Sequence, residues 1–264
     1  MGKPEGYLRA WRKWILLATI CLTVVVAGGC ANRGAIDRVS LSELDIASDE
    51  WYSLRAADTG ARLGASHVEV RSNETVLAIV ERLSVQQGED VLSYRTEVRY
   101  ETGDGLKAHS ALVTTYLNGT PYMGGRIRCA EGRLRAAAAL ADENGRLQEP
   151  VREADYEVPR NQTLIFLSGI PHVIRRMQKR DVLPEEMTVV EIPSDIDVLI
   201  KVLPDTNIQV ESAGDTTRYG VRNAADGKPV LEWRVGEDGR VERGTFFGTR
   251  FVASSREEAL RGEE

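Results

Sequence analysis

Three histidines, three cysteines and a scatter of carboxylates are the groups in this chain able to attack or exchange protons near neutral pH. Any acid–base or nucleophilic chemistry has to be assembled from them. His67, His109 and His172 show no HExxH or comparable ligand spacing. His67 and His109 fall in strand-like stretches and His172 near a helix start, which reads as three solvent-facing histidines rather than a catalytic base. Cys129 has the right chemistry to pair with a histidine as a thiol nucleophile. Over residues 123–129, however, it shares an alternating face with Met123, Gly125 and Ile127, while Arg126 and Arg128 point the other way, so a buried, inert thiol is expected. The acid pairs Glu185-Glu186 and Glu257-Glu258 stand at element starts, where carboxylates are locally favoured, and read as solvated. Gly124-Gly125 lacks the following lysine and the strand-to-helix context of a phosphate loop. The expectation is of no catalytic set, no metal and no cofactor.

Cys30 carries a more specific signal. Lys3, Arg9, Arg12 and Lys13 precede an uncharged run over 15–29, which is the positive start, apolar middle and small-residue exit of a secretory signal. As a helix, fifteen residues span about 22 Å, short of the roughly 30 Å hydrocarbon core, so a permanent transmembrane helix is the poorer reading. The end of the run, Ala27-Gly28-Gly29-Cys30, resembles a bacterial lipobox, in which small residues admit a peptidase while the thiol takes a diacylglyceryl group. Acyl chains contribute about 0.8 kcal/mol per buried methylene, so several together anchor stably. The resemblance implies residues 1–29 as a lipoprotein signal peptide, 30–49 as a lipidated tether and 50–264 as one domain. It also implies attachment to a membrane of the cell envelope, facing the periplasm; Ala31 after the cysteine, rather than Asp, implies the outer membrane in a diderm.

The bulk properties bound the partners. Net charge is −6; residues 1–29 hold four basic side chains and one acidic, a balance of +3, so the remainder carries −9. An acidic body excludes a nucleic-acid partner that depends on phosphate neutralisation. With Cys21 and Cys30 in the export segment, only Cys129 is left in the domain, and no internal disulfide is possible.

The elements that would position any site are strands. Over 92–101 the even positions are apolar or threonine and the odd ones polar, and the same alternation recurs at 196–202 and 231–235, more weakly at 67–71 and 123–129. One-sided burial of this kind marks antiparallel sheet. Asn118-Gly119, Asn144-Gly145 and Asp238-Gly239 supply the tight reversals of a meander. The stretch 161–180 breaks the pattern: Pro171 suits a first helical turn, and Ile170, Val173, Ile174 and Met177 then share one face opposite Arg176, Lys179 and Arg180. Its basic edge reads as solvated, although a face toward anionic lipid is a competing use. Ser255 and Glu258 have capping-box spacing for a short closing helix. The fold expected is mainly β: a large curved antiparallel sheet, half-barrel-like, with one lid-like helix and a short C-terminal helix.

Glu50-Trp51-Tyr52, the turn through Gly60 and Leu63-Gly64, together with the stretch from Trp233 through Asp238-Gly239-Arg240 to Phe251, resemble uncharacterised exported bacterial β-rich domains, some of which precede a transglutaminase-like domain. No transglutaminase Cys-His-Asp segment follows, so that activity is not implied. More distantly the pattern is similar to the half-barrel lipoprotein carriers of the Lol system. That resemblance implies that Phe166, Leu167, Ile170, Val173, Ile174 and Met177 face the concave side and meet an apolar ligand. The function expected is a non-enzymatic envelope lipoprotein binding a lipid or a partner protein; the alternative is a structural or assembly lipoprotein whose concave face is filled by its own side chains.

Overall fold

The structure, a computed structural model, describes residues 34–261 apart from 104, 131, 143, 159–161, 185, 193–200, 214, 215, 224–226 and 247. Cys30 and its preceding Ala27, Gly28 and Gly29 lie outside the described residues, as does most of the alternation at 196–202.

After a short helix α1 (Gly34–Arg38) and a single 3-10 turn, eight strands follow in succession: β1 (Asp45–Ala56), β2 (Arg62–Ser72), β3 (Val76–Gln87), β4 (Asp90–Glu101), β5 (Lys107–Leu117), β6 (Thr120–Ala130), β7 (Arg133–Ala141) and β8 (Leu147–Glu157). Then come β9 (Thr163–Phe166), helix α2 (Ile170–Lys179), β10 (Glu186–Glu191), β11 (Lys201–Ala213), β12 (Thr216–Asn223), β13 (Pro229–Val235), β14 (Val241–Phe246), β15 (Thr249–Ser254) and helix α3 (Arg256–Leu260). All fifteen strands join one sheet in the order 8-7-6-5-4-3-2-1-15-14-13-12-11-10-9. The chain is thus two meanders that meet where β1 pairs with β15, Tyr52 opposite Ala253.

One face of nearly every strand feeds a single apolar cluster running from Tyr52 and Val68 through Ile79, Val98 and Ile127 to Val221 and Trp233. A sheet this long can bury one face in one core only by curving around it. The strip rolls until β9 lies against β5, with the Phe166 N–H donating to Tyr100 Oη at 2.9 Å. The alternation read over 92–101 is the real one: Val98 and Tyr100 are fully buried and Arg95 and Arg99 face outward. The β5–β6 reversal uses Asn118 and Gly119, both at positive φ (51° and 80°), the combination that matches strand twist in a two-residue hairpin.

Two expectations need correction. The sheet is not wholly antiparallel, because β9 and β10 pair in parallel, and α2 is the crossover that a parallel pair requires. Nor does the domain begin at residue 50. β1 starts at Asp45, and the stretch read as tether is docked from residue 34. There Arg99 donates to the carbonyls of Ile36 and Val39 at 2.7 and 2.8 Å, Arg71 to that of Leu41 at 2.9 Å, and Leu44 packs on Val76 and Ala78. Backbone carbonyls captured by two arginines hold a polar segment that no hydrophobic period would have revealed.

Candidate functional site

The residues expected to line a ligand face instead form core. Phe166, Ile170, Val173, Ile174 and Met177 are at most 1% exposed and Leu167 is half-buried. They share the concave side, but α2 presses them into the sheet. Gly169, the residue before α2, sits at φ 69°, and a Cβ there would lie 2.5 Å from the Ile79 side chain. The basic edge of α2 is the expected solvated stripe only at its end, where Lys179 and Arg180 are exposed and Arg180 donates to the Thr102 carbonyl at 2.8 Å; Arg176 is half-buried and donates to Ser72 Oγ at 3.4 Å, and Arg175 packs over Gly239. Gln178 accepts from Tyr219 Oη at 2.6 Å, so α2 touches both halves of the sheet.

Around the first turn of α2 lies a buried polar cluster. β1 and β3 each carry an acid on the inward face, Glu50 beside Tyr52 and Glu81 beside Ile79. Tyr52 Oη donates to Glu50 Oε2 at 2.5 Å; Ser66 Oγ and Ser168 Oγ donate to the Glu81 carboxyl at 3.3 and 2.7 Å. His172 Nδ1 stands 3.9 Å from Glu50 Oε1, too far for a hydrogen bond, and that oxygen is buried without one. Burial pushes the Tyr52 phenol up, reinforced by the Glu50 charge, and pushes the Glu81 carboxyl up against the two serine hydrogen bonds. Burial pushes His172 down, opposed by Glu50 and aided by Arg175. Through Ser168, just before α2, the cluster ties the start of that helix to Glu81 on β3 and so to Ser66 on β2.

The solvent-facing reading fails for His172 and holds only in part for His67 and His109, which are half-buried. His172 is 7% exposed at its side chain, His67 12% and His109 17%. His67 stacks on Trp51 with centroids 4.2 Å apart, and His109 lies 3.3 Å from Asp37 on α1. Cys129 is where its alternation placed it, packed against the core, and burial pushes its thiol up to about 12. Among the described residues no three His, Cys, Asp or Glu side chains come close enough to hold a metal ion. Among them, too, no helix is long and apolar enough to cross a membrane.

Beside Cys129 the concave side is open. A cavity of about 450 Å³ lies between the ends of β4 to β7 and the start of β9, with Leu106, Ala108, Ala130, Val158 and Leu164 as its apolar wall and exposed Lys107 and Arg133 at its edge. It is of a size that suits a small-molecule ligand. Sequence reasoning missed it because it is made by β9 folding over β5, a contact between residues about 55 apart in the chain.

No family model matches the chain, and no curated protein does. Among solved structures, it is similar to the crystal structure of a beta-barrel-like protein of domain of unknown function DUF1849 from Brucella abortus. The likeness has 12% identity and a TM-score of 0.46, over 78% of this chain and 95% of that one.

Proposed function

We propose that this chain is an exported, non-enzymatic lipoprotein, held to a bacterial envelope membrane by acyl chains on Cys30, that keeps an apolar ligand in the cavity beneath β9. The observation that carries the ligand half of this reading is that cavity: space with an apolar wall at Leu106, Ala108, Ala130, Val158 and Leu164 and a polar side at Glu101, His109, Gln162 and Thr163, left beside a core that is otherwise filled. Its nearest thiol, Cys129, is held protonated by burial, which fits storage of a ligand rather than its chemical conversion. The export half rests on the basic start, the apolar run and Ala27-Gly28-Gly29-Cys30. A curved sheet with a helix on its inner side is also what the likeness to half-barrel lipoprotein carriers implies, and in this chain the ligand would meet Leu106, Ala108 and Leu164 rather than the face of α2.

Native mass spectrometry of the full chain, extracted from membranes in mild detergent, tests the ligand half. The reading expects a co-purifying hydrophobic mass that disappears in Ala108→Trp, which fills the cavity. Repeated absence of any bound mass in the unaltered protein contradicts it. The second reading, a structural lipoprotein with no ligand, is favoured by the burial of Phe166, Ile170, Val173, Ile174 and Met177 in the core, and that negative outcome supports it.

A further inference from the structure

The outer face of the sheet carries a second concavity. At one end this face is roofed by the docked segment 34–44, and at the other by α3, whose Ala259 carbonyl accepts from Arg62. Between the two runs a groove of about 370 Å³ across β1 to β5. Strand register sets it out in two rows. Ala65, Ser84, Ser93 and Tyr116 stand opposite one another along the floor, and Trp51, His67, Arg82 and Arg95 form the row beside them.

The second row places two cations side by side within the groove. Arg82 and Arg95 are directly opposite on adjacent antiparallel strands, a pairing of like charges that costs stability. No carboxylate among the described residues forms an ion pair with Arg82. Its guanidinium is instead aimed by donating to His67 Nδ1 at 3.1 Å, and His67 is fixed from the other side by Asp49 at 2.5 Å from Nε2 and by stacking on Trp51. Arg95 has only a loose contact with Glu97 at 3.6 Å, because Arg99 takes that carboxylate at 2.7 Å. By contrast Arg128, opposed to Arg135 across β6 and β7, is paired with Asp37 at 3.0 Å. Two arginines with donors to spare, one of them held in place by a histidine, suit the oxygens of one anion. The floor supplies what a sugar ring needs: two serine hydroxyls, Ser84 and Ser93, 3.3 Å apart, and the Tyr116 ring at the end of the row.

We infer that this groove binds an anionic saccharide, its carboxylate or phosphate held between Arg82 and Arg95 and its ring lying over Ser84 and Ser93 toward Tyr116. The site is separate from the cavity beneath β9 and does not depend on the anchor. Bound anion would relieve the repulsion that the free protein carries, so the arginines should trade stability for binding.

Calorimetric titration of the purified full chain with glucuronate, glucose 1-phosphate, glucose and inorganic phosphate tests this, with unfolding midpoints measured in parallel. At least one anionic sugar should bind about tenfold or more tightly than both glucose and inorganic phosphate. Arg82→Gln and Arg95→Gln should each weaken that binding by about tenfold without lowering the ligand-free midpoint. Ser84→Trp, which fills the floor and leaves the charges alone, should abolish it. Equal affinity for glucose and the anionic sugars, or no measurable binding of either anionic sugar, overturns the inference; so does unchanged affinity in both arginine variants. Inorganic phosphate binding as tightly as glucose 1-phosphate overturns its saccharide part.

Discussion

Replacing Gly169 by alanine tests whether α2 is wedged into the sheet or merely rests on it. Gly169 has φ 69°, where an L residue with a Cβ costs about 1–2 kcal/mol. The added Cβ would also sit 2.5 Å from Ile79 Cγ2 and 2.9 Å from its Cδ1, on a side chain with no exposure and no room to retreat. Overpacking of this kind costs about 1–3 kcal/mol, so Gly169→Ala should destabilise by about 2–5 kcal/mol, a large part of a typical domain's stability. Urea unfolding followed by tryptophan fluorescence reads this directly, since Trp233 is in the same core. Ile79→Ala alone should cost about 2–5 kcal/mol through its cavity. The double variant should fall short of the summed single losses by about 1–3 kcal/mol, because the truncated side chain no longer meets the new methyl. A loss below about 1 kcal/mol in Gly169→Ala, or strict additivity in the double variant, would refute the wedge.

Two further outcomes follow from the buried titratable groups. The thiol of Cys129, pushed up to about 12 from a reference of 9.0, should alkylate about a thousandfold more slowly in the folded protein than in denaturant at pH 8; comparable rates in the two states would show it to be neither desolvated nor enclosed. The pH dependence of stability should carry two opposed contributions. His172, held below its ordinary value, binds its proton more readily when unfolded, so its contribution is present above about pH 6.5 and is lost as pH falls through the folded value. Glu81, held above its ordinary value, contributes stability below about pH 4.5 that is lost as pH rises through its folded value. Denaturation midpoints across pH 4 to 8 should therefore lose their acid-side decline in His172→Leu and their alkaline-side decline in Glu81→Gln; the same profile in both variants would contradict the assignment.

Much of this fold is legible in the residues because period-two alternation survives wherever one face of a strand meets the core, as at Leu92 to Glu101 and Leu231 to Val235. The face of α2 was equally readable from Ile170, Val173, Ile174 and Met177. The cap of α3 is also as its letters suggest, with the Glu258 N–H donating to Ser255 Oγ at 3.1 Å. What escaped is set by contacts distant in sequence. The parallel pairing of β9 with β10 depends on a crossover that local alternation does not encode, and the docking of residues 34–44 depends on Arg71 and Arg99 reaching backbone carbonyls. The burial of His172 follows from where α2 lands rather than from its neighbours in sequence. One signal for the polar cluster was present: Glu50 and Glu81 each occupy the apolar register of their strand, in line with Tyr52 and Ile79, and an acid there is costly enough to need partners. The outer groove had no such signal, because Arg82 and Arg95 become neighbours only once the register of β3 and β4 is known.

The anchor is the claim on which the cellular reading turns, and intact mass spectrometry of the membrane-extracted protein addresses it. The expected species begins at Cys30 and carries the added mass of a diacylglyceryl group, and Cys30→Ser should leave the membrane fraction. A mature chain of unmodified mass, or a Cys30→Ser protein that remains as firmly membrane-bound as the original, would contradict it.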